Sequence, residues 1–235
     1  MGHATVLIEH GGVRLLTDPV LRRRVVHLRR HPPLSGDPPS PHAVLLSHLH
    51  FDHLDLPSLR ALGEDVRILA PRGAGDFLRG AGLSAVEELE PGDRARVGDV
   101  AVTATPAEHD GGRRPRGPRA QPLGFVTEAE RSVYFAGDTD LFPGMEALPR
   151  VDVALLPVAG WGRKLGPGHL DPERAARAAA LLRPRIAVPI HWGTLHPGRR
   201  GRWFTDPPRA FAAQLAERAP EVEARVLEPG QSLEL

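Results

Sequence analysis

The run Ala43-Val44-Leu45-Leu46-Ser47-His48-Leu49-His50-Phe51-Asp52-His53 constrains this chain more than any other stretch. Its apolar start reads as a buried strand. The turn that must follow carries His48, His50, Asp52 and His53 together at the strand's C-terminal edge. From that edge His48 and His50 can point to one metal ion while Asp52 and His53 reach a second, at the separation of about 3.5–4 Å usual in two-metal sites. Twelve histidines in 235 residues make some clustering expected by chance, so the weight of the motif depends on further ligands elsewhere.

Those ligands share one placement, just past the end of an apolar strand. His109 follows the predicted strand Val100–Ala104, Asp138 follows Ser132–Ala136, and His191 follows Ile186–Ile190. Asp18 ends a strand over Val13–Leu16, which pairs with Thr5–Glu9 across the hairpin signature Gly11-Gly12. Between Asp138 and its strand stands Gly137, which permits the tight turn that exposes the carboxylate. Further strands are predicted over Val66–Ala70, Leu123–Thr127 and Val153–Leu156. Asp171-Pro172 opens a helix to Leu182 and Asp206-Pro207 another to Arg218, each with Asp as N-cap and Pro at the first helical position. Shorter helices fit Pro57–Leu62 and Gly75–Arg79.

Composition narrows the chemistry. There is no cysteine, so a metal must be held by imidazole and carboxylate, a donor set that suits zinc, with manganese or iron as alternatives. A formal charge of +1 does not describe a nucleic-acid-binding polycation, and no nucleic-acid partner is expected. The apolar runs are too short to span a bilayer as an integral segment, and the first residues lack the pattern of a secretory signal; a cytoplasmic location follows as an expectation. A length of 235 residues suits one domain over 1–235, since neither Pro/Gly/Arg-rich loop, His31–His42 or Gly111–Pro122, is long enough for a linker. Oligomeric state is not encoded in any of these features.

His-x-His-x-Asp-His, a lone His, Gly-Asp-Thr and a final His, in this order from His48 to His191, resemble the metallo-β-lactamase superfamily. The resemblance implies an α/β fold, a four-layer αβ/βα sandwich with a dinuclear centre at one edge of two sheets. By the same motifs His48, His50 and His109 would hold the first metal, Asp52, His53 and His191 the second, and Asp138 would bridge them. Asp18 would orient ligands by hydrogen bonding. Gly2-His3-Ala4-Thr5-Val6-Leu7-Ile8, Leu16-Thr17-Asp18-Pro19-Val20, His169-Leu170-Asp171-Pro172-Glu173 and Ile190-His191-Trp192-Gly193-Thr194 are also similar to the N-acyl-phosphatidylethanolamine-hydrolysing phospholipase D branch, and partly to the ascorbate-6-phosphate lactonase branch.

The chemistry implied is hydrolysis by two divalent ions, with a metal-bridging hydroxide as nucleophile, on a phosphodiester-type or other small anionic ester; lactone opening is the alternative. A catalytically inactive, metal-stabilised binding protein is the alternative of another class, and the intact ligand set argues against it. Oxygen-reducing di-iron relatives usually carry glutamate at the position of His50, which again favours hydrolysis. Asp52 and Asp138 are expected to hold the nucleophile and handle its proton. His169, on the turn before the Asp171 cap, is expected to hydrogen-bond a substrate oxygen, against the plainer reading of a local turn contact. His3 reads as a buried structural histidine on the first strand, Trp161 as a pocket wall or a surface residue, and Trp192 as packing. Arginines at 22–24, 29–30, 113–119 and 199–202 form either a positive rim around the metals or an ordinary solvated surface.

Overall fold

The first hairpin turns as its glycines predict. Gly11 and Gly12 have φ of 52° and 89°, both positive as a type I′ turn requires, and they join β1 (Leu7–His10) to β2 (Val13–Thr17) with His10 opposite Val13. The computed structural model describes residues 1–34, 36, 39–113 and 117–235. A short hairpin of β3 (Arg24–Val25) and β4 (Leu28–Arg30) follows. Next come β5 (Ala43–Leu45), helix α1 (Leu56–Ala61), β6 (Arg67–Pro71), helix α2 (Gly75–Gly80) and β7 (Val86–Leu89). They complete a first sheet in the order β1-β2-β5-β6-β7, parallel from β2 onward.

The chain then builds a second sheet from β8 (Arg94–Val97), β9 (Val100–Pro106), β10 (Leu123–Glu128), β11 (Ser132–Phe135), β12 (Val153–Pro157) and β13 (Ile186–Ile190). Helix α3 (Pro172–Leu182) connects β12 to β13. After β14 (Leu195–His196), which pairs with β4, helices α4 (Arg202–Thr205) and α5 (Pro207–Arg218) lead to β15 (Glu223–Ala224). The order is β15-β13-β12-β11-β10-β9-β8. Strands β11, β12 and β13 run parallel, and two antiparallel steps through β10 return β9 to the same direction. Their C-terminal ends therefore share one edge.

Side-chain alternation along the strands sorts the apolar residues into layers. Leu15, Leu45 and Leu69 from the first sheet meet Val102, Phe125, Phe135, Leu155 and Val188 from the second in one buried cluster between the sheets. The alternate residues face outward. Val44, Leu46, Ile68 and Ala70 cover α1 and α2 through Leu59 and Leu78, while Ala154, Leu156 and Ala187 pack on α3 and α5 through Ala175, Ala179, Phe211 and Leu215. Helix, sheet, sheet and helix form the expected four-layer αβ/βα sandwich. Six-residue helices such as α1 and α2 would be marginal alone, and each wholly buried leucine contributes about 1.5–3 kcal/mol, so the layers rather than local propensity hold these helices in place.

Three details depart from the sequence reading. His3 is not on β1; it sits in the turn bridged by Gly2 and Thr5, with φ of 57°. Helix α5 spans the predicted residues, but Asp206 does not cap it by its side chain: α4 runs into Asp206, whose helical backbone (φ −85°, ψ −25°) carries the chain on. The two- and three-residue strands β3, β4, β14 and β15 and the one-turn α4 were not predicted, nor were β7 and β8, whose Val-Glu-Glu-Leu and Arg-Ala-Arg-Val are short and half charged.

Candidate metal centre

Both sheets deliver their strand ends to one place. The loop after β5 brings His48, His50, Asp52 and His53, and β2 ends in Asp18. Past β9, β11 and β13 stand His109, Asp138 and His191, and the β12–α3 connection supplies His169. His48, His50 and His109 each place one ring nitrogen within 4.8 Å of the others, and so do a carboxylate oxygen of Asp52 and ring nitrogens of His53 and His191, joined there by His3. Asp138 reaches both groups: its Oδ2 is 3.2 Å from His53 Nε2 and its Oδ1 3.3 Å from His191 Nε2, and one of its oxygens lies within 4.8 Å of a ring nitrogen of His109 and of His169. All seven residues expected to bind metal are thus brought together, and His48, Asp52, His53, Asp138 and His191 are buried.

The hydrogen bonds fix which ring nitrogens are bare. A carboxylate or carbonyl can only accept, so His53 Nδ1 donates to Asp18 Oδ2 (2.6 Å), His109 Nδ1 to Gly168 O (2.6 Å) and His191 Nδ1 to Ala159 O (2.7 Å). Ser47 Oγ donates to Asp18 Oδ2 (2.5 Å) and so accepts from His48 Nδ1 (2.9 Å). Four Nε2 atoms are left as lone pairs. His53 Nε2 and His191 Nε2 face each other at 3.0 Å, a contact that needs either a proton on one of them or a metal ion that both can ligate. Among the described residues, buried His48 Nε2 and Asp138 Oδ1 have no hydrogen-bond partner, although buried polar atoms are nearly always satisfied. The donor set fits divalent metal ions.

Electrostatics agree. Burial alone would lower the pKa of His53, but Asp138, Asp52 and Asp18 lift it well above the ordinary histidine value, so its surroundings demand positive charge. Burial holds His48 well below that value and His109 down at about 4, keeping both imidazoles neutral and ready to ligate. Burial would raise Asp52 and Asp138, yet the neighbouring histidines, His53 first for Asp52 and His191 first for Asp138, hold both ionised. For His169 burial is likewise overcome, by the hydrogen bond to and charge of Asp138, and its pKa rises. Its Nε2 is 3.4 Å from Asp138 Oδ2, its Nδ1 is 3.1 Å from the Gly166 and Pro167 carbonyls, and its side chain is 20% exposed. The turn contact and the site contact therefore coexist.

Backbone carries part of the work that residue types did not announce. Gly137 has φ of 61°, and a Cβ there would come within 2.6 Å of Ser47 Cβ; this is the tight turn its sequence position predicted. Gly168, with φ of 75°, lies so close to His109 that a Cβ would be 3.1 Å from its Nδ1. Gly168, Ser47 and the Ala159 carbonyl went unnoticed in the sequence. Of the arginines, Arg22 is committed to Asp55 (2.6 and 2.8 Å), Arg30 to the Val20 and Met1 carbonyls, Arg113 to the Leu49 and Leu54 carbonyls with Phe51 beneath it, and Arg119 to Asp110. Arg114 and Arg116 lie outside the described residues. Four of the ten described arginines in these clusters are thus held by protein partners. Trp161 is 38% exposed and edge-on to His27, while Trp192 is buried with Nε1 donating to Pro189 O.

A family profile described as a β-lactamase superfamily domain matches residues 13–192. The chain belongs to the metallo-β-lactamase superfamily. It is 32% identical to a UPF0173 metal-dependent hydrolase of Methanopyrus kandleri, over all of this chain and 97% of the relative. It is 34% identical to another UPF0173 metal-dependent hydrolase, from Opitutus terrae, with the same coverage of 100% and 97%. Among solved structures it resembles Igni18, a metallo hydrolase of Ignicoccus hospitalis, at 26% identity and a TM-score of 0.75 over 99% of this chain and 94% of that one. Like the two UPF0173 relatives, the chain is a metal-dependent hydrolase. Among the described residues no helix is long and apolar enough to cross a membrane.

Proposed function

We propose that the chain is a dinuclear hydrolase whose substrate is a phosphodiester-type or other anionic ester. One observation carries the dinuclear reading: Asp138 reaches ligand atoms of both groups, with its Oδ1 buried and without a hydrogen bond, while His53 Nε2 and His191 Nε2 face each other at 3.0 Å. In this reading His48, His50 and His109 hold one ion, Asp52, His53 and His191 the other, and Asp138 both. Bound there, two zinc ions would supply a water acidified toward neutrality and a Lewis-acidic grip on the oxygen under attack.

The chain's own groups do the rest. Asp52 and Asp138, kept ionised by the histidines around them, can accept the nucleophile's proton. Asp18 fixes the His53 tautomer, and through Ser47 that of His48. His169, carrying a proton on Nε2 beside Asp138, is placed to donate to a substrate oxygen and to neutralise negative charge on it. That donor is what favours an anionic ester over a neutral one. The branch similarity to phosphodiesterase-type members supports the same substrate class, and a cytoplasmic location of a single domain over 1–235 accompanies it.

Elemental analysis of freshly purified protein should find about two divalent ions per chain, and Asp138→Ala should lower occupancy at both positions because its carboxylate is shared. With metal content measured, a panel of nitrophenyl phosphodiesters, lactones, thioesters and β-lactams is then assayed with and without chelator. Chelator-sensitive phosphodiester turnover restored by zinc or manganese supports the proposal. Lactone opening without phosphodiester turnover replaces the substrate class, and no more than trace metal after reconstitution removes the dinuclear reading.

A further inference from the structure

The Gly2-His3-Ala4-Thr5 turn, ahead of the first strand, reaches into the centre itself. His3 is 3% exposed. Its Nε2 lies 3.0 Å from Asp52 Oδ2, and its ring centroid 3.9 Å from that of His191. The four ligand histidines named above each spend Nδ1–H on a protein acceptor and turn a bare Nε2 inward. His3 is arranged the other way. Among the described residues its Nδ1 has no hydrogen-bond acceptor, so Nε2 carries the proton and donates it to Asp52, whose carboxylate can only accept.

Its backbone is tied to the same place. The His191 N–H donates to the His3 carbonyl (2.9 Å), and the His3 N–H donates to Thr194 Oγ1 (2.8 Å). Both His3 and His191 are non-glycine residues held at positive φ, 57° and 64°, a conformation that persists only where surrounding contacts impose it. Gly2 permits this approach, since a Cβ there would lie 2.7 Å from Thr194 Oγ1. One residue therefore holds the side chain of Asp52 and the main chain of His191.

We propose that His3 is a positioning residue for the second metal position, fixing the Asp52 carboxylate through its Nε2–H and the His191 backbone through its carbonyl. The proposal rests on reading Asp52 and His191 as ligands of one ion. Hydrogen-bond partners of ligands typically change metal affinity by about 10–100-fold when removed. The side chain alone is open to substitution, so the test isolates the Asp52 bond. Glutamine can place its amide nitrogen near the position of Nε2 and asparagine cannot.

Metal-free parent, His3→Ala, His3→Gln and His3→Asn are titrated with zinc against a chromophoric chelator, and their metal-free melting temperatures are recorded. The expected result is two binding events in the parent, an unchanged first event in every variant, and a second event weakened about 10–100-fold in His3→Ala and His3→Asn but restored to within a few-fold in His3→Gln. Melting temperature alone would register a purely structural role, whereas selective loss of the second event would not follow from one. Parent-like binding by His3→Asn, or equal weakening of His3→Gln and His3→Asn, overturns the proposal. If His3→Ala does not fold, the Gln and Asn pair still decides. A parent that binds fewer than two ions overturns the dinuclear reading instead, and with it the premise of the proposal.

Discussion

His169 is half-buried like His50 and His109, but it touches the centre from outside the expected ligand set, and this makes it the residue whose loss should separate binding of metal from use of it. The ring is not in either group of three expected ligands, and its position is set by the Gly166 and Pro167 carbonyls as well as by Asp138. His169→Ala should leave metal stoichiometry intact and lower kcat/KM by roughly ten- to a hundred-and-fifty-fold, the loss of about 1.5–3 kcal/mol expected for a hydrogen bond to a charged group. Parallel measurement of metal content, melting temperature and kinetics checks it; a drop in melting temperature with unchanged kinetics of the folded fraction would return His169 to the plain turn contact. Much of the centre was readable at this scale, because His48, His50, Asp52, His53, His109, Asp138 and His191 all sit where an apolar run stops. What could not be read were acceptors such as the Ala159 and Gly168 carbonyls. A main-chain carbonyl is present at every position and carries no residue identity. His3 was visible as part of a motif but misplaced on a strand, since a histidine at positive φ leaves no trace in hydrophobic periodicity.

Among the elements, the turns at strand ends matter more than the strands. Gly137 ends β11 at φ of 61° and lets Asp138 meet the Ser47 loop, where a Cβ would stand 2.6 Å from Ser47 Cβ and 3.1 Å from the Leu123 carbonyl oxygen. Gly137→Ala adds a left-handed penalty of about 1–2 kcal/mol and an overpacking cost of about 1–3 kcal/mol. It should therefore lower unfolding free energy by at least about 2 kcal/mol and weaken metal retention, because the Asp18–Ser47–His48 chain of hydrogen bonds is what the methyl would push apart. Denaturant unfolding with and without zinc measures both effects; stability within about 0.5 kcal/mol of the parent, the range of a surface change, would show that the turn is not tightly packed. Elements with explicit chemical punctuation were predictable: the Gly11-Gly12 hairpin, and α3 with Asp171 accepting from Arg174 N at 2.8 Å. The β8–β9 hairpin carried a weaker signal of the same kind, Gly98 at φ of 55° between Val97 and Val100, and its half-charged strand concealed it. Asp206 misled because the Asp-Pro signature does not exclude a preceding helical turn.

At the scale of the molecule, the order in which strands pair was not readable, since β2–β5 and β12–β13 are joined across long stretches of sequence; the edge they share was. Away from the metal centre, a buried polar contact also crosses between the sheets. His10 at the end of β1 places Nε2 3.0 Å from Thr127 Oγ1 of β10, with both residues buried. Burial lowers the pKa of His10 from the ordinary histidine value of 6.5. The folded state then binds the proton less readily than the unfolded chain, so this stability is fully present above pH of about 6.5 and is lost as pH falls below it toward the folded pKa. His10→Gln keeps a donor for Thr127 and removes the titration. The variant should therefore show a shallower fall in melting temperature than the parent between about pH 7 and 5, the window opened by a histidine pKa of about 6.5. Ligand protonation at the metal centre steepens both profiles alike, and well-separated sites add independently, so the difference between the curves reports His10 alone. Parallel curves would mean that His10 is neutral or charged to the same extent in both states, and that the polar link between the sheets does not depend on its proton.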